Sequence, residues 1–252
     1  MIAGDPDPAE DLRLLLIHIK TMFAMSRAGR MMRESAPDNS SAPRLFFAGC
    51  SGGNVVRVRD DVSDRTARSA LELARAEPPW SDPETPPRCL TDLVRLLARD
   101  APAEPADPAL IYQLPNATIY DAGAHIVSGD TAEGRHLLTH FGEDGMPPYL
   151  VGAGFVGLDD FWEPWVAAME GGGIAAMAFA ARIGARSMEV GVHTFPGFRG
   201  RGLAAAVTAR WSSLPRLADH TLFYSTSRTN RSSQRVALRL GLRRFGVSIR
   251  IA

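Results

Sequence analysis

The chain reads as a mixed α/β protein, and three observations predict that class. The segment "WVAAMEGGGIAAMAFAARIGARSMEVGVHTF" reads as three consecutive strands, with "EGGG" and "IGAR" supplying the glycine-bearing turns that antiparallel neighbours need. The last part of the chain then alternates strand, helix, strand, helix, strand. Further helical and strand-like stretches precede both. No internal repeat is visible.

The elements follow in order. Residues 8–34 read as one amphipathic helix, with Leu12, Leu15, Leu16, Ile19 and Phe23 on its apolar face. "SAPDNSSAP", 35–43, is a linker or long turn by its proline and serine content. "RLFFAG" and "NVVRVRD" read as short strands around a Gly-Gly turn. Helices are expected at about 63–76 and 89–99, separated by "EPPWSDPETPPR", and a second proline-rich segment, "APAEPADP", spans 101–108. "NATIYDA" and "AHIVSG" look strand-like and lead to a helix near 130–141, and "LDDFWEP" to a short helical piece. After the three strands come a helix over about 201–215, a strand "TLFYSTS", a helix over about 231–240 and a last strand "RRFGVSIRI".

Composition sets broad bounds. The 252 residues are 45% hydrophobic and 22% charged, as in an ordinary folded protein. Formal net charge is zero, so no global field draws the chain to nucleic acid or an anionic membrane. Lys20 is the only lysine. Cys50 and Cys89 are too few for a disulfide framework or a zinc site, and are expected to be small buried side chains. No apolar run reaches membrane-spanning length, and "LRLLLIHIK" lacks a small-residue cleavage site. A cytoplasmic protein is expected.

The most informative stretch is "GFRGRGLAAA", 197–206. Glycines let a ligand approach the main chain, and a helix N-terminus offers unpaired N–H groups and the positive end of a dipole. Leu203, Val207, Trp211 and Leu214 give the following residues a helical stripe, and Arg199 and Arg201 add fixed charge at its mouth. Together these fit a phosphate or diphosphate on the first helical turn; the plainer alternative is a tight glycine turn with solvated arginines. Two ligand classes compete. Gly200, Gly202 and Ala205 match the dinucleotide pattern G-x-G-x-x-A, with Arg228 available for a 2′-phosphate. Against this, the motif lies close to the chain's end, and the strand before it alternates apolar and polar residues. The other pattern is R-x-x-G-x-A, carried by Arg199, Gly202 and Ala204.

"MEVGVHTFPGFRGRGLAAAVTARW" resembles the acyl-CoA signature of the GCN5-related N-acetyltransferase (GNAT) superfamily. "YSTSRTNRSSQRVALRLGL" resembles the family's second signature, with Asn230, Ser233, Gly241 and Leu242 at the expected spacings. The resemblance is strong over 172–252, extends by strand and helix order back to about 116, and does not reach 1–115. It implies a twisted mixed β-sheet flanked by helices, with two central parallel strands splayed to admit the coenzyme A arm. A GNAT domain is thus expected over 116–252, after an N-terminal helix and linker over 1–41 and a smaller N-terminal α/β portion over 42–115.

The resemblance implies acetyl transfer from acetyl-CoA to a primary amine of a small molecule or peptide, without a metal. Such a reaction needs a base for the amine, N–H groups for the developing oxyanion and a proton donor for the departing thiolate. Glu189 is the candidate base; otherwise it is an exposed or paired strand glutamate. His193 shares its face by alternation and is a second candidate, or a plain polar residue; a bulge in this strand would break that parity. By analogy the main chain around Val190, Val192, His193 and Thr194 binds the thioester carbonyl and pantetheine arm. The N–H groups of Arg199, Gly200, Arg201, Gly202, Leu203 and Ala204 hold the diphosphate. Asn230, with Ser233, either meets the pantetheine or caps the next helix. Many family members carry an acidic tyrosine seven residues after that asparagine; here the position is Ala237. Tyr224 is the replacement candidate, or else a core tyrosine.

Weaker constellations remain. His136 and His140 lie four apart on one helix face but lack a third ligand, so no metal is expected. Asp159, Asp160 and Glu163 either attract an amine or mark an acidic helix start. Trp162 and Trp165 pack in the core or line a cleft. The first helix covers an apolar face or mediates a homodimer. A non-catalytic acyl-CoA-binding protein stands as the second functional reading.

Overall fold

A computed structural model describes residues 7–252. Helix α1 (Pro8–Met22) is capped by Asp7, whose side chain accepts from the Ala9 N–H at 3.0 Å. It ends earlier than the expected 34. Phe23 turns to extended backbone, and a hairpin of β1 (Phe23–Met25) and β2 (Met31–Glu34) follows. Gly29, at φ +75°, forms that turn, a conformation a helix interior does not allow. The buried face is also rotated from the expected one: Leu14, Leu15, His18, Ile19 and Met22 are inside, whereas Leu16 is exposed.

Strands β3 (Leu45–Cys50) and β4 (Gly53–Val58) and helices α2 (Asp64–Arg75) and α3 (Leu90–Leu97) lie where the sequence places them. The next strand does not. β5 (Ala109–Leu114) is "ALIYQL", bracketed by Pro108 and Pro115, and "NATIYDA" is irregular. Ala117 there adopts φ +57° and Ile119 is solvent-exposed, so no sheet face forms. β6 (His125–Ser128), α4 (Ala132–Asp144), a short α5 (Pro148–Val151) and a single 3-10 turn (Leu158–Asp160) come next. The C-terminal elements are β7 (Trp165–Glu170), β8 (Gly173–Ile183), β9 (Ser187–Thr194), α6 (Leu203–Ser212), β10 (Thr221–Ser227), α7 (Arg231–Arg239) and β11 (Arg243–Ile251).

Nine strands form one mixed sheet in the order β4-β3-β11-β5-β10-β9-β8-β7-β6. Every neighbouring pair is antiparallel except β9 and β10. β5 is wedged between β10 and β11, and β3–β4 extend the sheet beyond β11. The division expected at 115/116 therefore does not split the sheet: the N-terminal part supplies three of its strands. Alternation assigns the two faces. α6 and α7 pack on Val190, Leu222 and Tyr224, with α2 and α3 on the same side. α1 packs on Ile111, Phe223 and Phe245 of the opposite face, beside α4 and α5. Trp211 of α6, fully buried, donates through Nε1 to the Pro164 carbonyl at 2.7 Å. Burying such a side chain contributes about 3 kcal/mol, which fixes α6 where its N-terminus meets the end of β9. Among the described residues, no helix is long and apolar enough to cross a membrane.

Candidate active site

The parallel pair β9–β10 is joined only at Thr221↔Ser187, Leu222↔Met188 and Phe223↔Glu189. Beyond Glu189 the strands part, so Val190–Thr194 offers an unpaired main-chain edge towards β10. The resulting cleft, about 480 Å3, is lined by Val190, Val192, Tyr224 and Asn230 towards α7, and by Glu189 and Arg182 on the opposite side. It opens a passage through the sheet. The irregularity in this region lies in β8, between Ala180 and Arg182, and β9 keeps its alternation. Glu189, Gly191 and His193 thus share one face.

The glycine loop follows the far end of β9, and its Pro196, Phe198 and Arg199 line a neighbouring cavity. Gly197, Gly200 and Gly202 have φ of +89°, +81° and +84°, conformations that side-chain-bearing residues rarely adopt. Gly202 is the N-cap of α6 and supplies no side-chain cap. The backbone N–H groups of Arg199 through Ala205 have no hydrogen-bond partner among the described residues. A run of free N–H groups at a helix N-terminus is an anion cradle. Arg199 Nε donates to the Thr194 carbonyl at 3.4 Å, and Arg201 pairs with Glu170 at 2.7 Å, so both guanidiniums stand at the loop's edge. From Thr194, before this loop, to Glu189 is about 16 Å of strand.

At the narrow end, Glu189 is buried and its Oε2 accepts from His18 Nε2 of α1 at 2.7 Å. Three residues along α1, Thr21 Oγ1 meets Ser187 Oγ at 2.6 Å, so α1 runs antiparallel to β9 and is tied to it twice. The His18 ring packs edge-on to Phe223, its centroid 5.0 Å away. Burial alone would raise the Glu189 carboxyl. The hydrogen bond and charge of His18, the Arg182 charge and the Ser225 hydroxyl outweigh it and hold the group below the ordinary carboxylate value. A buried carboxylate that stays ionised at neutral pH results.

Tyr224 enters the same cleft from β10. Its hydroxyl bonds the Ser233 side chain and the Ser233 carbonyl, the latter at 3.2 Å. Burial pushes its phenol up to about 12, against the Ser233 hydrogen bond, so it stays protonated. Ser233 lies one helical turn before the buried Ala237, on the same face of α7. The Tyr224 hydroxyl therefore reaches the α7 face that carries Ala237. Asn230 Oδ1 accepts from the Ser233 N–H at 3.1 Å and caps α7, leaving its amide NH2 on the cleft.

His193 sits elsewhere. It lines a separate cavity of about 690 Å3 with Tyr149, Ile174, Phe195 and Phe198. Its Nε2 is buried without a partner, and burial, with the Arg199 charge, lowers its pKa. Four residues along β9 place it about 13 Å from Glu189, so the two candidate bases do not share a cleft.

The remaining candidates have local partners. Arg228 pairs with Glu84 at 2.9 Å and Asp107 at 3.0 Å, and the strand before the glycine loop has an antiparallel neighbour on one side, so the doubly wound dinucleotide arrangement is not present. His140 Nδ1 meets Asp144 at 2.7 Å, and no group of three or more metal-ligating side chains converges among the described residues. Asp160 accepts from the Val156 and Gly157 N–H groups, and Glu163 pairs with Arg216 at 2.7 Å. Trp165 is core and Trp162 stacks edge-on to Phe179. Cys50 and Cys89 are both buried, and burial holds the thiols up, Cys89 to about 12. The sequence reading missed His18, Arg182, Glu34 and Arg250. Their one local signal is a histidine on the apolar face of an amphipathic helix.

No family model and no curated protein matches the chain. Solved structures do. A protein of the GNAT family from Novosphingobium aromaticivorans aligns at 23% identity over 59% of this chain and 66% of its own, with a TM-score of 0.39. A GCN5-related N-acetyltransferase from Kribbella flavida aligns at 16% over 63% and 62%, TM-score 0.41. A GNAT-family acetyltransferase from Colwellia psychrerythraea aligns at 13% over 96% of both chains, TM-score 0.44. The chain thus spans less than two thirds of the first two.

Proposed function

We propose that the protein is an acetyl-CoA-dependent N-acetyltransferase acting on a primary amine. The observation that carries the reading is the arrangement along β9: a buried carboxylate at the vertex of a cleft between splayed strands, and, past the far end of β9, free N–H groups at the α6 N-terminus. The residues present fit coenzyme A. The N–H groups of Arg199–Ala204 would hold its diphosphate, and the free edge of Val190–Thr194, with the Asn230 amide, its pantetheine arm. Acetyl-CoA supplies the acyl carbon and the thiolate leaving group.

The protein's own groups do the rest. Glu189 accepts the proton of the incoming ammonium, directly or through one water. His18 positions Glu189 and keeps its carboxylate ionised. Main-chain N–H groups at the start of the splay face the carbonyl oxygen as it gains charge. Tyr224, still protonated, offers its proton to the departing sulfur. The test is acetyl-CoA consumption against a panel of primary amines, with Glu189→Gln beside the wild type. Turnover that falls about a hundredfold or more in the variant supports the reading. Tight CoA binding with no turnover on any amine would instead identify a non-catalytic acyl-CoA-binding protein.

A further inference from the structure

The acceptor side of the cleft carries a charge arrangement that the steps above leave unused. Glu34 of β2, 5% exposed, accepts from both Arg182 of β8 and Arg250 of β11. Both arginines line the cleft together with Glu189, Ser225 and Met22. Holding the β1–β2 hairpin to the sheet accounts for Glu34 and one guanidinium. It does not account for the second, nor for both facing the passage. Glu34 offers one carboxylate to two guanidiniums, Glu189 beside Arg182 being the second negative group, and Arg182 Nε is buried with no acceptor. Arg250 is held in place over the Phe23 ring, 5.7 Å from its centroid. Arg182 is also the cross-strand register partner of Glu189, which puts their Cα atoms about 5 Å apart.

We propose that the acceptor is a small amino carboxylate, its amine facing Glu189 and its carboxylate held by Arg182 and Arg250. The inference rests on Glu189 being the group that receives the amine. The short Arg182–Glu189 spacing fits an amine and a carboxylate separated by one or a few carbons, as in a free amino acid. A planar guanidinium suits a carboxylate, and charge-assisted bonds to it exceed neutral ones.

The experiment pairs turnover with binding. Free amino acids are compared with their primary amides and with the decarboxylated amines, as acceptors and as ligands of the CoA-bound protein by calorimetry, in the wild type and in Arg250→Gln. The melting temperature reports whether the variant folds, and the ratio between matched compounds cancels any inactive fraction. The expected result is at least about a tenfold preference, in kcat/KM and in affinity, for the carboxylate-bearing member of each pair, with that preference lost in Arg250→Gln. Amides or plain amines acetylated as well as the amino acids would overturn the inference while leaving the acetyltransferase reading intact. If no amine of any class turns over, that reading fails, and binding alone decides this one. Amino acid binding that Arg250→Gln weakens still supports the carboxylate site, and no binding overturns it.

Discussion

His18 and Glu189, 171 residues apart in sequence, form a buried hydrogen-bonded pair at 2.7 Å between the first helix and the strand that borders the cleft. The pair joins the N-terminal part of the chain to the chemistry of its C-terminal part. His18 Nδ1 has no partner, so the ring is held only through the Nε2 that meets the carboxylate and through its stacking on Phe223.

Removing His18 should raise the Glu189 pKa. Burial pushes the carboxyl up, and His18, ahead of Arg182 and Ser225, brings it below the ordinary carboxylate value. Titration of the Glu189 carboxyl carbon by NMR should therefore show its lowest midpoint in the wild type, its highest in His18→Leu, and an intermediate one in His18→Gln, which keeps a donor without the charge. Identical midpoints in all three would remove His18 from the account.

Stability should carry the same signature. A carboxyl lowered on folding stabilises the native state above its unfolded pKa, and that contribution disappears as pH falls through the folded value. Urea unfolding at neutral pH should show His18→Leu destabilised by about 3 kcal/mol, as for a broken buried pair. The difference from wild type should shrink below the ordinary carboxyl range. A gap that stays constant down to strongly acid pH would mean that packing alone is lost.

Tyr224→Phe should lower kcat by about tenfold or more and leave the KM for acetyl-CoA nearly unchanged, since only the proton donor is removed. Because the phenol is held up to about 12, wild-type activity should show no alkaline loss attributable to it up to pH 10. An unchanged kcat in the Phe variant would assign Tyr224 to the core alone.

Two glycines of the loop should respond differently. A Cβ at Gly200 would meet nothing within 4 Å, whereas one at Gly202 would lie 2.8 Å from the Tyr120 hydroxyl, and both have positive φ. Gly200→Ala should cost about 1 kcal/mol of backbone strain. Gly202→Ala should cost more, and Tyr120→Phe should recover the excess in the double variant. Equal costs for both glycines, without recovery, would contradict the geometry of the loop.

The C-terminal elements were legible in the sequence because their signals are local. Glycine turns delimit β7, β8 and β9, and the loop at 197–202 announces the start of α6 within a residue or two. The same local logic failed at 23–34, where the apolar residues continue past the helix and only Gly29 marks the hairpin. It failed again at β5, a six-residue apolar run between prolines whose two neighbours, β10 and β11, lie far along the chain. Site residues divide in the same way. Glu189, Tyr224 and the glycine loop stand on short motifs. His18, Glu34, Arg182 and Arg250 acquire meaning only when the β1–β2 hairpin and α1 close over the sheet, and no sequence spacing encodes that.

The central claim is that the N–H groups opening α6 grip the diphosphate of coenzyme A. Amide NMR during titration with CoA tests it most directly, with pantetheine, which lacks the diphosphate, as the comparison ligand. The account predicts large shifts for the amides of Gly200, Gly202, Leu203 and Ala204 with CoA that are absent with pantetheine, while Val190–Thr194 respond to both. Shifts confined to other parts of the chain, or none at saturating CoA, would contradict it.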